Sequence, residues 1–144
     1  MKRSVIAMLL IVLLAVCLCV SCKDEPAGGS ASAGDKWVAT SDDSETVEGV
    51  TYQTNVTVTL VFDGKGGVTS TSYLNSMKMG GVEMASQLTE EQRTTTQTGT
   101  YTATEITFTY VMEGVSVTTK ATYSISGNKM TVTAEGKSQT FTKK

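Results

Sequence analysis

The chain has 144 residues, 40% of them hydrophobic and 18% charged, with a formal net charge of −2 and no histidine. That balance gives no clustered basic face for nucleic acid. The missing histidine removes the commonest general base, the Ser-His-Asp and Cys-His arrangements and the usual zinc sites.

Met1-Lys2-Arg3 makes a short positive start, and an apolar run covers residues 5–20. The run falls somewhat short of the roughly 20 apolar residues that cross a bilayer as a helix. A small residue and polar sequence follow at once, which is the layout of an export signal. Cys17 follows Val16 and Cys19 follows Leu18, whereas Cys22 follows the small Ser21. The Cys19-Val20-Ser21-Cys22 box resembles the processing site of bacterial lipoproteins. The resemblance implies a signal peptide over residues 1–21 and lipid attachment at Cys22. Three acyl chains of the palmitate kind would hold the chain firmly, since each buried methylene contributes about 0.8 kcal/mol. Lys23-Asp24-Glu25 resembles the export signal of Bacteroidetes-type surface lipoproteins. It implies an outer-membrane anchor facing the cell exterior, with a periplasm-facing leaflet as the alternative. Loss of Lys2 and Arg3 with the signal takes the net charge from −2 to −4. Cys22 is then the one cysteine left, so no disulfide is expected.

Residues 22–35 form the lipidated cysteine and a tether of small, flexible residues. Residues 36–144 are expected to be a single all-β domain. Threonine is interleaved there with valine, isoleucine, tyrosine and phenylalanine, types that suit a half-buried pleated surface. Asp42, Asp43, Glu45 and Glu48 are expected in a loop after a first strand. Tyr52, Thr54, Val56, Val58, Leu60 and Phe62 then alternate with Gln53, Asn55, Thr57 and Thr59, which predicts a strand with one buried face. Asp63-Gly64-Lys65-Gly66-Gly67 predicts a turn, and a further strand runs from Val68 to about Met77.

Residues 77–93 read as a hairpin about Gly80-Gly81, followed by a loop or one helical turn. Thr89-Glu90-Glu91-Gln92 matches a capping box. The last third contains an imperfect repeat. Gly99-Thr100-Tyr101-Thr102 aligns with Ala121-Thr122-Tyr123-Ser124, and Glu113-Gly114 with Glu135-Gly136. Each unit is strand, tight turn, strand, glycine turn, which implies an antiparallel meander. About eight sequential strands with one apolar face point to an up-and-down barrel. An open β-sandwich is the alternative, because periodicity does not distinguish closure.

Gly99-Thr100-Tyr101-Thr102, the stretch from Tyr123 to Val132, the ending Thr140-Phe141-Thr142-Lys143-Lys144, Lys36-Trp37 and Leu60-Val61-Phe62-Asp63-Gly64 resemble lipocalin-like domains of Bacteroidetes-type surface lipoproteins. These are turn and core positions, so the resemblance implies the fold and says little of a ligand.

Phe62, Phe108, Tyr110, Met112 and Tyr123 are the candidate pocket-lining residues if the barrel holds a small apolar ligand; otherwise they fill its core. Met77, Met79 and Met84 would make either a lid or a plug at one barrel end. Hard cations take several oxygen ligands, but the acidic residues 42–48 do not match the EF-hand spacing, so a solvated acidic loop is expected rather than a cation site. The expectation is a monomeric, non-catalytic lipoprotein without metal or cofactor, anchored to the membrane by lipid. It would bind a small apolar ligand or serve as an envelope structural or protein-interaction module.

Overall fold

The computed structural model describes residues 31–112 and 114–144, and for Met112 the backbone alone. The expectations for the signal, for Cys22 and for the tether up to residue 30 lie outside the described residues.

Two valines flank Glu48-Gly49, and the hairpin forms there. Strand β1 (Lys36–Val47) pairs along its full length with β2 (Val50–Phe62), in the register Val47 to Val50 and Lys36 to Val61. Glu48 and Gly49 both have positive φ, 50° and 82°. That is the type I′ geometry whose twist matches the strands it joins. Asp42, Asp43 and Glu45 therefore lie within β1 and not in a loop. Cross-strand partners override the poor β propensity of aspartate: Asn55 Nδ2 donates to Asp42 Oδ1 at 2.7 Å, and Thr46 and Thr51 hydroxyls meet at 3.1 Å.

Strand β3 (Gly67–Met79) follows, then β4 (Val82–Glu83), a 3₁₀ turn over Ala85–Gln87 and a single helical turn, α1 (Glu90–Arg93). The capping box at α1 is complete, with Thr89 and Gln92 bonding each other's backbone N–H. Strands β5 (Thr94–Tyr101), β6 (Glu105–Met112), β7 (Val115–Ser126), β8 (Lys129–Ala134) and β9 (Lys137–Lys143) complete the meander. Each strand pairs antiparallel with its neighbour, β3 pairs with β5, and β9 returns to β1. The result is a closed eight-stranded up-and-down barrel, with β4 as an extra strand on β3.

A bulge in β3 changes which residues face inward. Asn55 pairs with Ser76 but Val56 pairs with Leu74, so Asn75 is an extra residue on its strand. Before it Val68 and Leu74 face in; after it the parity reverses and Met77 packs on the core. Arg93 pins the bulge, donating from Nε to the Leu74 carbonyl and from its terminal nitrogen to the Asn75 carbonyl, both at 2.8 Å. Its guanidinium also lies over the Tyr73 ring, 4.8 Å from the centroid.

The core is concentrated at one end, where β1 starts and β2 finishes. Phe62 and Met130 are fully buried there, and Trp37 and Ile106 nearly so, at 1% exposure. Phe62 meets the Tyr101 ring edge-on at 4.8 Å. Tyr123 donates from its hydroxyl to the Thr102 carbonyl at 2.7 Å. Lys143 in the last strand lies over Trp37 in the first and pairs with Asp35 at 2.6 Å.

Candidate functional site

The barrel is closed at that end and splits toward the other. Pairing between β5 and β6 covers three residue pairs and stops at Gly99 and Phe108. Pairing between β1 and β9 covers only two, Trp37 with Lys143 and Val38 with Thr142. Two four-stranded leaves result, β1-β2-β3-β5 and β6-β7-β8-β9, joined at the closed end. Gly99 permits the close approach at one seam. A Cβ there would collide with the Thr107 carbonyl oxygen and the Phe108 ring, so Phe108 lies across the glycine.

The register also gives the lining of the split half, since directly paired residues share a face. Ser72 pairs with Val58 and with Thr95; Gln97 pairs with Ser70, Thr119 with Phe108, and Gln139 with Val132. Val58 and Val132 are buried, and the other inward residues are half-buried. Their polar atoms stay in reach of water or a partner: Trp37 Nε1, at the closed end, is the one buried side-chain polar atom without a hydrogen bond among the described residues. The interior is thus apolar and filled at one end and of mixed character at the other, where polar residues stand among Val56, Val58, Leu74 and Phe108.

The rim of the open end carries three hairpin tips. Val47 and Val50 flank the first and Met79 and Val82 the second, Val111 and Val115 lie at the third, and all six side chains are exposed, Val111 by 73%. The first two tips are adjacent, with Gly80 donating its N–H to the Thr51 carbonyl at 2.9 Å. The third lies across the ring of strands. The acidic residues of β1 stand beside the first tip. Asp42, Ser44, Gln53 and Lys78 line part of an open pocket of about 380 Å³ on this arm.

Three carboxylates are held below their ordinary range, and each fixes a chain segment. Lys143 lowers Asp35, helped by the Ser32 N–H. The backbone N–H groups of Lys65 and Gly67 lower Asp63, which orders the β2–β3 turn. Those of Met77 and Ala85 lower Glu83, which folds β4 back beside β3. Burial, with a hydrogen bond to Glu90, raises the Tyr73 phenol, and burial raises that of Tyr123.

The sequence-derived residues do not gather in one place. Phe62 and Tyr123 belong to the packed closed end. Phe108 and Tyr110 are half-buried on β6, where the split begins. The side chain of Met112 lies outside the described residues, as does Cys22. Met77 packs on the core, whereas Met79 is 39% exposed at the rim. Sequence reasoning missed the rim itself. Its signal was present in the valines flanking Glu48-Gly49 and Gly114. Among the described residues, no cluster of three or more His, Cys, Asp or Glu has the arrangement to hold a metal ion. No family model, curated protein or solved structure matches this chain.

Proposed function

We propose that this chain is a non-catalytic lipoprotein, anchored through Cys22 to the outer membrane and displayed at the cell surface, whose barrel is a scaffold for protein contacts made at its open rim. The observation that carries the reading is the placement of the apolar hairpin tips at the end opposite Ala31. That residue is buried in the closed-end core, and Gly34 donates to the Phe62 carbonyl at 2.8 Å. The tether therefore joins the barrel at the closed end. From Cys22 to Ala31 the chain spans at most roughly 30 Å. A 13-residue strand such as β2, tilted as barrel strands are, reaches to a similar height of roughly 30–35 Å. The rim is held away from the anchoring membrane and toward partners beyond it. Exposed apolar positions at a rim, edged with charge, suit a protein contact.

Filling of the apolar end argues against an apolar ligand buried there. Phe108 and Tyr110 with the polar lining favour, as a second reading, a small ligand with hydroxyl or amide groups in the split half. Feeding labelled fatty acid to cells tests the anchor. Label on the wild type and none on Cys22→Ala is the expected result; label on both, or on neither, refutes lipidation at Cys22. Protease shaving of intact cells tests display, with protection as the adverse result. Native mass spectrometry separates the two uses of the barrel: a stoichiometric bound small molecule favours the second.

A further inference from the structure

Among the described residues the split leaves unpaired edges at both seams, the longest on β1, and the hairpin dictates which groups that edge presents. In a two-residue hairpin the residues flanking the turn exchange backbone hydrogen bonds, so Val47 bonds to Val50 and alternate residues below it, Glu45 and Asp43, do the same with β2. The intervening residues Thr46, Ser44 and Asp42 then direct their N–H and C=O groups away from β2. The side chains agree. Non-hydrogen-bonded pairs sit closest across a ladder, and the cross-strand side-chain bonds of this hairpin fall on Thr40–Thr57, Asp42–Asn55 and Thr46–Thr51.

On the side away from β2, the pairing of β1 among the described residues is to β9 at Trp37 and Val38. Continuing that register upward would bring Lys137, the first residue of β9, opposite Asp43. Beyond that point β9 has no residue to offer. Asp42, Ser44 and Thr46 are exposed. Such an edge is a template for an added strand.

Its charge selects the occupant. Asp42, Asp43, Glu45 and Glu48 fall within residues 42–48, and among the described residues the ion pairs lie elsewhere, at Arg93, Lys120 and Lys143. A second copy of the same edge would oppose acid to acid, which costs rather than stabilises. A strand bearing lysine or arginine would meet complementary charge, and Val47 at the tip adds apolar contact. The tether joins at the opposite end of the barrel, which turns this edge away from the proposed anchor.

We propose that the free edge of β1 over residues 42–47 takes up an extended, lysine- or arginine-bearing segment of a partner protein as an added β-strand. This rests on the reading of the barrel as an interaction scaffold and names the edge and the chemistry of what it binds. The test uses the full chain in detergent micelles and the peptide (Lys-Thr)5. Amide hydrogen exchange is read residue by residue. The expected result is slowing of about tenfold or more at Asp42, Ser44 and Thr46, with Asp43, Glu45 and Val47, already bonded to β2, unchanged. The acidic analogue (Glu-Thr)5 should slow none of them. Ser44→Pro removes an edge N–H at a position where proline is tolerated; it should abolish the protection with the thermal midpoint unchanged. Should that variant fail to fold, the alternating pattern in the wild type decides alone. Uniform or absent protection overturns the proposal, as does equal protection by the acidic peptide. Protection of the same three amides in the chain without peptide, growing with its concentration, would make a second copy the occupant and overturn it too. Failure of the fatty-acid label would sink the anchor and leave this result standing, so the two failures are distinguishable.

Discussion

The closed end and the open rim of this barrel are made from the same threonine-rich strands, yet they are different materials. At the closed end the inward face carries the largest apolar side chains, and Trp37, Phe62, Ile106 and Met130 are buried almost completely. Toward the rim the inward positions mix serine, threonine and glutamine with Val56, Leu74 and Phe108, and apolar side chains stand exposed at the hairpin tips. Closure of the sheet follows the same division: the seams hold where the core is dense and part where it thins. Side-chain burial keeps a β-barrel shut, and backbone pairing alone does not extend it.

Substitutions sharpen that contrast. Phe62→Ala should cost about 3–5 kcal/mol, because the cavity sits where the neighbours Tyr101 and Tyr123 are held by their own contacts. Chemical denaturation measures it. A cost below about 1 kcal/mol, the size of a surface effect, would show that the closed end is not the stability centre. Gly99→Ala comes next, at about 1–3 kcal/mol, since the new methyl meets the Thr107 backbone and the Phe108 ring at the seam. Its exchange signature should be loss of protection at residues 99–101 and 106–108, with the rim unaffected.

Acid should act on the joints rather than on the core. Asp35, Asp63 and Glu83 have lowered values in the folded chain. Their stabilisation is complete above the ordinary carboxylate values of 3.8 and 4.5 and is lost as pH falls through the depressed folded ones. The raised tyrosines act at the other extreme, and their contribution is lost as pH rises past the ordinary value of 10.0. With no histidine in the chain, the thermal midpoint should be flat from about pH 5 to pH 8 and fall in acid. Asp63→Asn should flatten part of the acid limb. An unchanged acid limb in that variant would remove the β2–β3 turn from the account. The smallest effect belongs to the rim, where Val111→Ser should change stability by no more than about 0.5 kcal/mol. A larger loss would mean that the third tip is packed and not displayed.

Much of the fold was legible in the residues themselves. The alternation from Tyr52 to Phe62 placed β2 and its buried face correctly, and Thr89 with Gln92 marked the N-cap of α1, the helical one of the two readings open there. The repeated Glu-Gly pairs marked turns, because a Gly at the second position accepts the positive φ that a type I′ hairpin needs. One local reading failed, and one face was not legible. The acidic stretch read as a loop by propensity, and strand pairing with β2 made it strand. The inward face of β3 could not be followed past Leu74, because the bulge at Asn75 is held by Arg93, 18 residues away in sequence.

What the sequence alone determined was the class of structure: pleated strands, their order, their turns and which faces are apolar. Those properties are local, set by side-chain period and by φ at the turns. Tertiary structure decided where the sheet closes and how far each seam extends. That outcome depends on pairing between β1 and β9, whose ends are separated by most of the domain, and on the stagger that barrel closure imposes. The free edge of β1, the mixed half of the interior and the placement of the apolar tips opposite the tether all follow from that closure, which no local pattern encodes.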